Sequence, residues 1–193
     1  MARYDRSRSR GVAVAFKIND CTMREVSFAN PEECEVLVTA GSLPGYSRMI
    51  IVIAAYLPRG YDVARGHGAV AYIEVIIREV KRNYRDPFVL LGGDFNQWEV
   101  QEAVEEFADM KESAVGPTRN GRCIDRIFTN FGRAELENGG VEVGSQGCDS
   151  DHRIVFTQAR LLRLRSFEWT THQYRYYNDE SERNFRAWLA GYD

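Results

Sequence analysis

What this chain lacks narrows its chemistry first. Its four cysteines (Cys21, Cys34, Cys123, Cys148) show no C-x-x-C spacing, and it has only three histidines. A zinc ribbon, a multi-histidine zinc site and a disulfide framework are all excluded on that count. Unpaired cysteines of this kind fit reduced thiols in an intracellular protein, nuclear or cytoplasmic. The longest apolar run, Met49–Leu57, falls far short of the ~20 residues that span a bilayer, so no membrane partner is expected. The basic start (Arg3, Arg6, Arg8, Arg10) is followed by no apolar signal-peptide core. Internal repeats and low-complexity tracts are missing too. Positive charge is not in excess: the net charge is −3 and the pI about 5.7. That excludes a dedicated basic coat for nucleic acid but leaves room for a local basic groove. What remains is globular. The chain is 44% hydrophobic and 12% aromatic over 193 residues, enough for one domain with a substantial core.

The pattern along the chain alternates strands with two helices. Residues 1–10 read as a flexible basic start. Gly11–Ile18 alternates Val12, Val14 and Phe16 with small residues and predicts a strand, with Thr22–Phe28 returning as its hairpin partner. Cys34–Thr39 predicts another strand, and Gly41–Gly45 a turn. Met49–Tyr56 is apolar at both parities, as a strand inside a layered structure would be. Gly66–Arg85 places Ala69, Ile73, Ile76, Ile77, Val80 and Tyr84 at helical spacing, and Asp86-Pro87 ends that helix. Glu99–Asp109 predicts a short acidic helix. Thr118–Gly121 predicts a turn, Cys123–Thr129 a strand, Arg133–Val143 a hairpin around Gly139-Gly140, and Arg153–Thr157 a last strand. Residues 160–177 read as irregular. Asn178–Gly191 reads as a terminal helix with Phe185, Trp188 and Leu189 on one stripe. Apolar inner strands with helices between them imply an α/β layered domain.

Three polar stretches sit where such strands end. In Leu90–Trp98 (LLGGDFNQW) two glycines precede Asp94 and Asn96. On an extended backbone this pair shares parity, and the glycines would let the chain turn as it leaves the sheet. The plain alternative is a loop in which Asp and Asn are turn formers. In Arg122–Asn130 (RCIDRIFTN), Asp125 is a carboxylate close to apolar packing and needs a partner. A histidine ring N–H would serve, and so would Arg122 or Arg126. In Cys148–Phe156 (CDSDHRIVF), Asp151 and His152 are adjacent, so their side chains diverge on extended chain. His152 is a general base or a phosphoryl-polarising cation, or else a surface histidine.

In this order, G-D-F-N, then I-D-R-I-F, then S-D-H, the stretches resemble the endonuclease/exonuclease/phosphatase superfamily, over roughly Gly11 to Ala159. The resemblance implies a layered β-sandwich flanked by helices, the deoxyribonuclease-like four-layer fold, with residues 11–159 as the domain and 160–193 as a basic, aromatic tail. It implies roles as well. Asp94 would orient and deprotonate the attacking water, and Asn96 would hold the scissile phosphate. Asp151 would be a metal-side carboxylate. His152 would contact the phosphoryl oxygen, with Asp125 supporting it. Tyr56, in AAYLP, would reach the phosphate through its hydroxyl; alone it reads as a core or rim tyrosine. The implied cofactor is Mg²⁺ (or Mn²⁺), which suits oxygen ligands, and the implied substrate is DNA.

The family's metal-side Asn and its Gln-Glu pair lie upstream of the segment that Gly11–Ile18 resembles. They have no counterpart before Asp94, so the domain is expected to be incomplete at its N-terminus, weak or inactive by itself, with an uncovered sheet edge open to association. Thr118-Arg119 and Ile127-Phe128-Thr129-Asn130 resemble the endonuclease domains of non-LTR retrotransposons. The tail resembles the connection to a reverse transcriptase in such polyproteins, with Arg160, Arg163, Arg165 and Arg175 either on DNA phosphates or on a solvated face. Two alternatives stay open: a phosphomonoesterase of the same fold acting on inositol phosphates or lipids, and a non-catalytic nucleic-acid-binding remnant.

Overall fold

The computed structural model describes residues 12–16, 22–26, 28, 34–43, 45–132, 135–142, 151–160, 183 and 186–187. The expected basic start and almost all of the tail, including the Asn178–Gly191 helix apart from residues 183, 186 and 187, lie outside the described residues.

Among the described residues eight strands and two helices follow one another as β1 (Thr22–Val26), β2 (Glu35–Ser42), β3 (Ile50–Tyr56), α1 (Val63–Asn83), β4 (Phe88–Asp94), α2 (Gln101–Ala108), β5 (Lys111–Glu112), β6 (Asp125–Thr129), β7 (Leu136–Glu142) and β8 (Ile154–Ala159), with residues 183, 186 and 187 also helical. Six of the strands form one sheet in the order β1-β2-β3-β4-β6-β5, and β7 pairs with β8 in a second. Only β3 and β4 run parallel. The 21-residue helix α1 makes that crossover, as a parallel connection requires.

Periodicity explains the layering. In β3 the buried residues are Ile51, Ile53 and Ala55. Their neighbours in β4 are Val89, Leu91 and Gly93. They join Ile73, Ile76, Ile77 and Val80 of α1, Val104 of α2 and Phe128 of β6 in one core. The opposite parity carries Tyr56, Asp94 and Asp125 to the other face, side by side across β3, β4 and β6. Asp62 caps α1 by accepting from the Arg65 N–H at 2.9 Å, a contact worth about 1 kcal/mol. The helix therefore begins before the apolar stripe at Gly66 that marked it in the sequence.

Five expectations are corrected. Residues 12–16 carry a single bridge at Ala13 and no strand. The Thr22 segment pairs forward with β2 as the outer strand of the sheet, and among the described residues no strand lies on its other edge. Gly92 and Gly93 do not turn the chain out of the sheet; both lie inside β4. Gly93 is needed for close approach, since a Cβ there would sit 1.8 Å from the Ala55 carbonyl oxygen. Gly139-Gly140 is not a hairpin tip but the middle of β7, and a Cβ at Gly139 would lie 1.9 Å from the Ser113 carbonyl oxygen. In each pair one glycine, Gly93 or Gly139, lets backbones touch. Finally, Asp94 and Asn96 do not share an extended strand: β4 ends at Asp94, and Asn96 has φ +51° in the turn that follows.

Candidate active site

The turn after β4 is held by its own backbone and by a buried aromatic. Phe95 is fully buried and meets Phe128 edge-on at 6.0 Å. The Phe95 N–H donates to the Ile124 carbonyl at 2.8 Å, and the Leu57 N–H donates to the Asp94 carbonyl at 3.0 Å. The ends of β3, β4 and β6 are therefore tied together where the polar side chains emerge. Asp94 Oδ1 accepts the Asn96 N–H at 3.0 Å. The Asn96 amide donates to the Leu57 carbonyl at 2.9 Å. An amide nitrogen has two N–H groups, so one remains for a ligand.

Asp125 opens β6 beside Asp94. Its carboxylate takes His152 Nδ1 at 2.8 and 3.1 Å. A carboxylate only accepts, so Nδ1 carries the proton. Of the partners open to Asp125 in the sequence, the histidine is the one it meets. Asp94, Asp125 and His152 each offer an atom within 4.8 Å of the others, all half-buried. Burial raises the Asp94 carboxyl above its ordinary value, and the negative charge of Asp125 adds to this. The Asn96 N–H, His152 and Arg119 pull it down.

Asp151 and His152 diverge. His152 turns to Asp125, while the exposed Asp151 is gripped through Oδ2 by Arg119 Nε at 2.7 Å and Nη2 at 2.6 Å. Asp151 Oδ1 stands 3.8 Å from His152 Nε2. Asp151 thus borders the group of three without joining it. Tyr56 is half-buried, in register with Asp94 at the end of β3.

Two residues with a part in this arrangement were not singled out from the sequence for it. Arg119 is one. The other is Thr118, fully buried, whose hydroxyl accepts from both the Ile124 and the Asp125 N–H at 3.1 Å. The Thr118 carbonyl accepts the Arg153 N–H at 2.8 Å. One threonine therefore holds the backbone beside Asp125 and beside His152. The signal was the T-R-N-G turn, which showed a bend but not that its first hydroxyl points inward. Other residues of the resemblance have structural work to do. Asn130 accepts the Val89 N–H at 2.7 Å and donates to the Pro87 carbonyl at 2.8 Å, extending the β4 ladder by a side chain. Arg160, largely exposed, is paired with Glu137 at 2.6 Å.

The fold has counterparts among solved structures. A truncated Caenorhabditis elegans TDP2 superposes with a TM-score of 0.52 at 15% identity, over 72% of this chain and 64% of that one. The human Nocturnin catalytic domain with a bound sulfate gives 0.52 at 13% identity, over 72% and 60%. A humanized D. rerio TDP2 gives 0.51 at 13%, over 72% and 66%. These proteins have the endonuclease/exonuclease/phosphatase, deoxyribonuclease-like fold, and so does this chain, which spans less than two thirds of each of them. Identities this low speak for the fold alone. No protein-family model and no curated protein sequence matches the chain. Among the described residues no helix is long and apolar enough to cross a membrane.

Proposed function

We propose that the chain is a metal-dependent phosphodiester hydrolase, a DNA endonuclease of retroelement type. The observation that carries this reading is the convergence of Asp94, Asp125 and His152, from three separate stretches, within 4.8 Å. The fold and the T-R-N-G and I-D-R-I-F-T-N segments support it.

The donor set fits a hard divalent cation, Mg²⁺ or Mn²⁺. Two carboxylates face one another, their mutual repulsion helping to keep the Asp94 carboxyl raised; the only histidine of the group is already bonded to Asp125, and no cysteine is among them. Oxygen donors with room for water suit magnesium. Asp151 would be a ligand of the ion, which would supply neutralisation of phosphate charge. The remaining work belongs to the chain. Asp94, with its raised pKa, takes the proton of the attacking water. The free N–H of Asn96 and the Tyr56 hydroxyl hold the phosphate oxygens. His152, its ring oriented through Nδ1 by Asp125, would in its protonated form donate Nε2–H to the phosphoryl oxygen where charge develops. The leaving oxygen departs opposite the entering water.

Nicking of supercoiled plasmid with Mg²⁺ tests the reading. Asp94→Ala and His152→Ala should each lower the rate by about 100-fold or more. Near-normal nicking by either variant refutes the assignment. A soluble inositol phosphate hydrolysed in preference to plasmid would turn the reading towards a phosphomonoesterase.

A further inference from the structure

A cleft of about 650 Å³ opens beside Asn96, between the turn that follows β3 and the Arg119–Arg122 hairpin. Its volume is that of a ligand site. Four guanidinium groups line it, from Arg59, Arg119, Arg122 and Arg126, against one carboxylate, Glu99. Two of the four are already matched. Arg119 holds Asp151, and Arg126 meets Glu112 at 2.9 Å and Glu99 at 3.2 Å. Arg59 and Arg122 are exposed, and among the described residues neither meets a carboxylate. Two uncompensated cations thus face a cleft that begins at a proposed phosphate-holding amide.

The backbone that carries both arginines is held. Gln97 donates to the Arg59 carbonyl at 2.6 Å, and the Trp98 indole donates to the Pro58 carbonyl at 3.1 Å. Arg122 closes its hairpin through reciprocal backbone bonds with Arg119 at 2.8 and 3.0 Å. A backbone already in place lowers the ordering cost of binding. Among the described residues no aromatic side chain lines the cleft, so these residues offer bases no stacking platform of the kind that single-strand readers use. Guanidinium groups without aromatics match a sugar–phosphate backbone, not a base.

We propose that this cleft is a second phosphate subsite. Arg59 and Arg122 bind a phosphate of the same strand next to the scissile phosphodiester. The inference rests on the phosphodiesterase reading and deepens it. The substrate is a polynucleotide with a flanking phosphate, gripped without regard to sequence at this point.

Binding in EDTA keeps the test separate from turnover. Fluorescence anisotropy of a fluorescein-labelled 12-nucleotide single-stranded DNA is measured with the whole chain, with Arg59→Gln/Arg122→Gln, and with the charge-matched control Arg78→Gln/Arg82→Gln on α1. The cleft variant should bind about tenfold more weakly or worse. Its slope of log affinity against log salt should flatten by about 0.7, the value for one lost phosphate contact on a single strand. The control should bind as the parent does. The exposed Cys123 lines the same cleft, so the oligonucleotide should slow its alkylation by iodoacetamide, and the cleft variant should lose that protection. A parent chain that does not bind, a cleft variant with parental affinity, a control that weakens equally, or binding that leaves Cys123 unprotected each overturns the proposal. Arginine-dependent binding without any nicking would instead sink the catalytic reading and leave the subsite standing.

Discussion

Thr118→Val asks whether one buried hydroxyl holds the candidate site together. The substitution keeps the shape of the side chain and removes its oxygen. Thr118 is fully buried, and its Oγ1 is the acceptor for the Ile124 and Asp125 N–H groups, each at 3.1 Å. Ile124 is itself buried and Asp125 half-buried, so water has poor access to either donor. A buried backbone N–H left without an acceptor costs roughly 1–3 kcal/mol. Two of them cost roughly 2–5 kcal/mol once partial relaxation is allowed. For a chain of this length each kcal/mol moves Tm by about 2–4 °C, so the variant should melt about 4–20 °C below the parent. Thr118→Ser keeps the acceptor and should recover most of the loss. Thermal melts followed by circular dichroism read both. Because Asp125 carries His152, the valine variant measured well below its Tm should also nick DNA more slowly, while the serine variant should not. A valine variant that melts within about 1 °C of the parent would refute the reasoning, since the two N–H groups would then have found other acceptors.

Gly93→Ala forces a Cβ to within 1.8 Å of the Ala55 carbonyl oxygen, so it should destabilise by at least about 1–3 kcal/mol; Gly92→Ala, whose Cβ meets nothing closer than 3.7 Å, should change stability by less than about 1 kcal/mol, and equal melts for the two would contradict the close approach. Asp94→Asn should stabilise the metal-free chain at neutral pH. The raised carboxyl favours the fold only while protonated, a contribution present below the unfolded-state pKa and lost as pH rises through the folded one. The variant's Tm advantage in EDTA should therefore be absent in acid and appear as pH climbs past the carboxylate range; an advantage confined to acid has the wrong sign. Asp125→Asn leaves a group that cannot balance a charged imidazole and should lower kcat by about 10- to 100-fold with little change in KM, and an unchanged kcat would remove Asp125 from its supporting role.

The layered architecture was legible because its strands advertise themselves. Met49–Tyr56 and Phe88–Leu91 are apolar at both parities, and Ile73, Ile76, Ile77 and Val80 repeat at helical spacing. Each pattern is local, and burial demands it. What was not legible depends on partners distant in sequence. Gly93 and Gly139 read as turn residues, because a glycine shows its conformational freedom in the sequence but not the backbone that lies against it. Their neighbours, Ala55 and Ser113, are far away along the chain. The Thr22 strand was assigned to the segment behind it for a similar reason: two adjacent strands and a turn signal suit a hairpin, and only the register with β2 shows the other choice.

The candidate site divides along the same line. Asp94, Asp125 and His152 could be picked out because carboxylates and a histidine are conspicuous at strand ends. Their ordered occurrence resembled a family whose chemistry brings them together. Asp125 shows how far composition alone reaches: its need for a partner followed from apolar neighbours, but the choice between His152 and the arginines beside it belonged to the fold. Thr118 and Arg119 were visible only as letters of a turn. A threonine that accepts two backbone N–H groups looks, in sequence, like any other turn threonine. An arginine that engages a carboxylate 32 positions away looks like a solvated one. The ion pair of Arg119 with Asp151 also changes what the letters S-D-H mean here. In this structure the aspartate's charge is already met, so any cation that takes Asp151 as a ligand must compete with a guanidinium using two nitrogens. The part of the site that reads most plainly as metal chemistry in the sequence is thus the part where the fold supplies a competing positive charge of its own.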